Sequence, residues 1–227
     1  TNPTGNVLSD AEVRKLAALA EKQGIPLFLD NAYGLPFPRI IFEEVHPYWD
    51  ENVVYSMSLS KLGLPSVRTG IIIARKEIIQ ALAAANAIVN LANGGIGQIL
   101  VEPLIRSGEI LRISKEWIYP FYRERSAQTI RWIQESFPSH LEYRIHKSQG
   151  AIFLWVWFKN LRIRTKELYE KLKKRNVIVV PGEYFFFGLQ EEWDHRFQCI
   201  RLNYSGREED VKRGIEIIAE IAGAATR

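Results

Sequence analysis

Three short apolar runs set the tightest limit on how this chain can fold: PLFLD (26–30), VVYSM (53–57) and GIIIA (70–74). Each has the length of one strand and the density of apolar residues typical of a strand buried in a sheet. Helical patterns lie around them. Ser9 and Glu12 have the spacing of a capping box, Val13, Leu16, Ala17 and Ala20 share one face, and Gly24 suits a helix end. This predicts a helix over 9–23. Residues 76–90 and 95–106 read as further helices, and a long helical pattern over 108–136 should kink at Pro120, which lacks an N–H. Strands alternating with helices argue for an α/β sheet in the first half.

The second half is built differently. LEYRIH, AIFLWVWF, VIVVPG and FQCIRLNY follow Pro138 as strand-like segments, with helices over 165–175 and 207–222. Trp155 and Trp157 should share a face of their strand, because side chains alternate. The expected organisation is α/β, an incomplete, mostly parallel sheet over residues 1–110, followed by a smaller α+β domain over 111–227. The opening Thr1-Asn2-Pro3-Thr4-Gly5 reads as a turn, and turns connect elements. A strand, and more of the first domain, is therefore expected ahead of it.

Composition narrows the function classes. With 47% hydrophobic and 25% charged residues the chain is ordinary globular material. Net charge is only +4 and basic residues are interspersed with acidic ones, so no nucleic-acid partner is expected. The densest basic cluster, Lys171 to Arg175, lies on a predicted helix and reads as a solvated face. No apolar run reaches the roughly 18 residues of a membrane span, so no membrane partner is expected either. The one cysteine, Cys199, forbids an internal disulfide, which fits a reducing, cytoplasmic setting. It reads as a small buried strand residue.

Chemistry gathers at the strand ends. In open α/β sheets ligands bind beyond the carboxyl ends of strands. Asp30 ends one run, Tyr33 follows it, and Ser58, Ser60, Lys61 and Arg68 follow or approach others. Lys61 stands among small and apolar neighbours in SLSKLGLP, a poor setting for a lysine that only needs water. A lysine amine can form a Schiff base with a carbonyl. Arg68 and the hydroxyls of Ser58 and Ser60 suit a phosphate. Asp30 can pair with a ring nitrogen, and the Tyr33 phenol can bond a ring oxygen. Singly each residue is an ordinary surface or loop residue; together they meet the requirements of pyridoxal 5'-phosphate.

NPTG, DNAYG, SLSKLGLPSVRTG, VVPGEYFF and CIRLNYS, in this order, resemble the class I/II aminotransferases, fold-type-I pyridoxal phosphate enzymes. The resemblance runs over essentially the whole chain. SLSKLGLP beside DNAYGLPFP and the aromatic-rich second half most resemble the valine–pyruvate branch. The resemblance implies a transaminase that moves an amino group between an amino acid and a 2-oxo acid, acting as a homodimer. It implies that Lys61 carries the cofactor and shuttles the proton, that Asp30 pairs with the pyridine nitrogen, and that Tyr33 donates to the ring oxygen. Ser58, Ser60 and Arg68 would hold the phosphate. Asn2 would touch the ring oxygen and the substrate carboxylate, and Arg201 would fork onto that carboxylate. It also implies that an upstream half supplies a phosphate-cradling helix, a stacking aromatic and further strands, and that this chain alone is inactive. Two alternatives share the same fold: a pyridoxal-phosphate-dependent lyase, and an aminotransferase-like effector domain of a transcription regulator.

Other signals read as structural. NGGIGQ (93–98) lacks the spacing of a phosphate loop and reads as a turn opening a helix. The family places this region near a subunit interface, where Asn93 would approach the partner's phosphate. His46, His140, His146 and His195 have no metal-ligand spacing with one another or with Cys199, and read as loop and surface residues, so no metal is expected.

Overall fold

A computed structural model of the chain describes every residue except 93, 192 and 227, so the idea about Asn93 lies outside the described residues. The chain divides into two compact units, Val7–Phe121 and Thr1–Asn6 with Tyr122–Arg227. The sequence placed the division at 110/111 and kept the first residues with the first domain. The observed division falls eleven residues later and assigns the opening turn to the second unit.

In Val7–Phe121 the order is α1 (Asp10–Lys22), β1 (Leu27–Asp30), β2 (Val53–Ser58), β3 (Gly70–Ile73), α2 (Lys76–Asn90), α3 (Ile96–Arg106) and α4 (Glu109–Ile113). The capping box forms as its spacing predicts: Glu12 N–H donates to Ser9 Oγ, and the Glu12 carboxylate accepts from Ser9 N–H at 2.8 Å. Gly95 caps α3, so the glycines before it do open a helix. The sheet has the order β1-β2-β3. β1 and β2 are parallel and β3 is antiparallel to β2, so the three described strands form a sheet of mixed direction within the expected α/β fold. Only a short excursion separates β2 from β3, too little for the helical crossover a parallel pair needs. Val53, Tyr55, Met57, Leu59, Val101, Ile110 and Phe37 form the core of this unit.

The long helical pattern is broken where Pro120 demands it. A π turn over Ser114–Ile118 follows α4 and leads into α5 (Tyr119–Ser136), with the Tyr119 N–H donating to Ser114 O. Shifting the ladder just before Pro120 accommodates the missing N–H without ending the helix.

The second unit continues with β4 (Tyr143–Ile145), β5 (Phe153–Phe158), α6 (Thr165–Lys173), β6 (Val180–Pro181), β7 (Cys199–Asn203) and α7 (Glu208–Ala224). Its sheet is antiparallel, in the order β4-β5-β7-β6. β6 has only two residues because Pro181 cannot donate to a ladder. Residues opposite one another on β5 and β7 share a face. Leu154 pairs with Leu202 and Val156 with Ile200, and these join Trp132, Ile133, Leu168, Leu172, Ile215 and Ile218 in the core. The other face carries Phe153, Trp155 and Trp157 of β5 with Cys199 and Arg201 of β7. The two tryptophans do share a face, as alternation required. Among the described residues no helix is long and apolar enough to cross a membrane.

Candidate functional site

The expected site residues fall into two clusters, one in each unit. The first lies at one edge of the β1-β2-β3 sheet. Because β1 and β2 are parallel, their carboxyl ends share an edge, with Asp30 opposite Ser56. Because β3 is antiparallel, it starts at that edge, with Gly70 opposite Ser58. Asp30, Ser58, Ser60, Lys61 and Arg68 are therefore brought to one edge by strand direction alone.

Local turns set the side chains. Asp30 Oδ1 accepts from Ala32 N–H at 3.2 Å, turning the chain out of β1. The turn packs Gly34 so closely on Asn31 that a β-carbon there would lie 1.7 Å from Asn31 Oδ1, so a larger residue would have to displace the Asn31 side chain. Ser58 caps a 3-10 turn over Leu59–Leu62, its Oγ accepting from Ser60 N–H at 3.2 Å. Lys61 sits half-buried on this turn, its Nζ 5.7 Å from the centre of the Tyr33 ring. Leu59 N–H donates to Thr69 O at 3.2 Å and closes the excursion. Arg68 has φ 46°, and its Nη1 reaches Ser60 Oγ and Pro65 O, each at 3.3 Å.

The hydrogen-bond roles favour an anion. Ser58 Oγ and Ser60 Oγ each already accept an N–H, so each hydroxyl keeps its own O–H as a donor. A guanidinium with these two hydroxyls is a cluster of donors beside a lysine amine. Arg68 also borders an open cleft of about 470 Å³ whose walls carry the carboxamides of Asn86, Asn90 and Gln98. These were not singled out from the sequence; only their position on α2 and α3 brings them there.

The second cluster lies on the outer face of the β5–β7 sheet. Arg201, opposite Trp155, donates from Nη1 to Asn2 Oδ1 at 2.7 Å. Asn2 is held in the opening turn, where Gly5 N–H donates to Thr1 O and Gln149 N–H to Gly5 O. The Arg201 guanidinium lies 5.0 Å from the ring centres of both Phe153 and Phe185. Phe185 meets Trp155 edge to face at 5.5 Å. His195, half-buried on a turn, stacks on Trp193 at 4.7 Å and meets Trp157 at 4.8 Å, so it packs against this aromatic layer. Burial lowers its pKa from the ordinary histidine value. Cys199 is fully buried beneath it, and desolvation pushes its thiol up to about 12.

The family model described as aminotransferase class I and II matches residues 1–218. The chain belongs to the class I and II aminotransferases. Valine–pyruvate aminotransferase of Escherichia coli K12 is 52% identical over 220 residues, covering 97% of this chain and 52% of that protein. The crystal structure of valine–pyruvate aminotransferase from Salmonella typhimurium LT2 superposes with a TM-score of 0.93 at 49% identity, covering 99% of this chain and 58% of that one. The multiple substrate aminotransferase of Thermococcus profundus, at 24% identity and a TM-score of 0.81 over 99% of this chain and 54% of that one, shows the shared fold alone. This class I and II aminotransferase chain thus spans about half the length of the relatives it matches.

Proposed function

We propose that the chain forms part of a pyridoxal-phosphate-dependent transaminase that moves an amino group between an amino acid and a 2-oxo acid, with valine and pyruvate as the pair. The observation that carries this reading is the meeting of Lys61 with the Ser58–Ser60–Arg68 donor cluster, Asp30 and Tyr33 at one sheet edge of a class I and II aminotransferase. The donor set fits the cofactor group by group: an amine for its carbonyl, donors for its phosphate, a carboxylate for its ring nitrogen and a phenol for its ring oxygen.

When bound, pyridoxal 5'-phosphate supplies a carbonyl for the amino group and a ring that accepts the electron pair of the substrate's α-carbon. Lys61 holds the cofactor and its Nζ carries the proton that leaves the α-carbon. Asp30 would keep the ring nitrogen protonated, electrostatic support of a kind that ranks among the largest catalytic contributions. Tyr33 and Asn2 bond the ring oxygen. Ser58, Ser60 and Arg68 hold the phosphate. Arg201, with Asn2, receives the substrate carboxylate that amino and oxo acids share. Val7–Phe121 belongs to the large cofactor-binding domain and the other unit is the small domain. The 52% identical relative of that name supports the valine–pyruvate assignment. A cytoplasmic homodimer is part of the same reading.

Reduction of the full-length holoprotein with borohydride, followed by peptide mapping, is the test. A single label on Lys61 and loss of turnover in Lys61→Ala are expected; a label on another lysine removes the assignment. Turnover without a 2-oxo acid would make the protein a lyase, and a Lys61 label with no turnover of any amino acid would make it a cofactor-binding effector.

A further inference from the structure

We propose that Phe185, together with Phe153, is a positioning residue for substrate: the two rings clamp the Arg201 guanidinium so that its N–H fork is set before a carboxylate arrives. This role follows only if Arg201 binds the substrate carboxylate, as proposed above. The guanidinium lies 5.0 Å from each ring centre, within cation–π range on both. The rings come from different elements. Phe153 stands on β5 itself, and Phe185 ends the 3-10 turn over Gly182–Phe185. Phe185 is braced in turn by Trp155, the residue directly opposite Arg201 on the neighbouring strand. Asn2 Oδ1 holds the Nη1 side.

The physical effect is preorganisation. A long arginine side chain loses rotamer freedom when it fixes a ligand, and that loss weakens binding unless it is already incurred in the folded protein. Aromatic faces restrain the guanidinium without themselves neutralising it. They also exclude water from its faces, which strengthens the carboxylate's hydrogen bonds at its edge. The clamp should therefore act on any substrate through its carboxylate, and on nothing else in the reaction.

The test uses the holoenzyme with L-valine, with 3-methyl-2-oxobutanoate, and with isobutylamine, which is valine without its carboxylate. Phe185→Leu should raise KM for both carboxylate substrates roughly three- to thirtyfold, the range expected for losing one cation–π contact. The kcat at saturation and the kcat/KM for isobutylamine should change by less than about twofold by the same logic. Phe185→Tyr, which keeps the ring, should restore KM to within about twofold of wild type. Phe185→Met provides a second ringless variant if the leucine variant does not fold. An equal loss with isobutylamine, a fall in kcat at unchanged KM, or no rescue by tyrosine overturns the clamp. Arg201→Ala separates this from the underlying reading: if it leaves the KM for valine unchanged, the carboxylate assignment itself fails.

Discussion

Arg68 shows what a single residue gives up for its place. At φ 46° its backbone is left-handed, a conformation that costs a non-glycine residue about 1 kcal/mol or more. That turn aims the guanidinium back at Ser60. Arg68→Gly should therefore separate the two roles. It should leave the unfolding midpoint unchanged or raise it, by up to about 1 kcal/mol of relieved strain. It should also weaken pyridoxal phosphate binding roughly ten- to hundredfold, the worth of a charge-assisted hydrogen bond. Spectral titration with the cofactor and urea denaturation measure the two effects; a variant that loses stability and keeps affinity would place Arg68 in the scaffold. Tyr55 and Cys199 give a titration of defined sign. Burial pushes the Tyr55 phenol up to about 12 from 10, and the Cys199 thiol up to about 12 from 9. At pH 7 both groups are essentially protonated whether the chain is folded or not, and from about pH 8 the unfolded thiol begins to ionise. Between pH 9 and about 12 the unfolded chain releases these protons more readily, so stability falls as pH rises. Urea midpoints measured from pH 8 to 11 should decline accordingly, and native Cys199 should resist iodoacetamide at pH 8 while the unfolded chain reacts. Fast alkylation of the folded protein would contradict the burial.

At the scale of elements, Ser9→Ala removes the capping acceptor for Glu12 N–H and should cost about 1 kcal/mol in urea denaturation. The Glu12 carboxyl is held below its ordinary value by the bonds it accepts from Ser9, so this support is present above pH 4.5 and is lost as pH falls through the lowered pKa. A variant as stable as wild type at pH 7 would show that α1 is held by its packing alone. That cap was legible because Ser9 and Glu12 state it within four residues. So were the elements themselves, since apolar spacing reports which residues face the interior. Spacing does not report what a strand pairs with, and the antiparallel course of β3 had to come from the shortness of the excursion after β2. Pro181 was in plain view within VIVVPG, yet the apolar run concealed that a proline ends the ladder. The Arg201 clamp was harder still. Phe153, Phe185 and Asn2 lie far apart in sequence, and an aromatic run such as YFFF looks the same whether it fills a core or grips a guanidinium. Lys61, Asp30 and Arg68 could be picked out because their charges are conspicuous at strand ends, whereas the neutral Asn86, Asn90 and Gln98 carry no such signal.

Across the whole molecule, the described residues hold apolar side chains in two contrasting ways. The core around β5 and β7 is closed, while Ile88, Val89, Leu91, Ile96 and Ile99 in Val7–Phe121 are between 69% and 90% exposed. Clustered exposed apolar residues of this kind promote association. The 227-residue chain expressed alone should therefore bind a hydrophobic dye and grow in mass with concentration during sedimentation. Leu91→Asp with Ile99→Asp should reduce both; a monodisperse monomer that ignores the dye would show that these side chains find cover by rearrangement. The sheet of the other unit has a different consequence, one of parity. On β5 and β7 the even-numbered positions 154, 156, 158, 200 and 202 serve the core, and the odd-numbered 153, 155, 157, 199 and 201 serve the face that bears Arg201. The two sets are written into the same strands yet answer to different demands. Substitutions at the odd positions would change the face that bears Arg201 and leave the core contacts of the even ones in place. A one-residue insertion in β7 would exchange the sets and bring a guanidinium into the core, so variation along these strands should be rich in substitutions and poor in single-residue insertions.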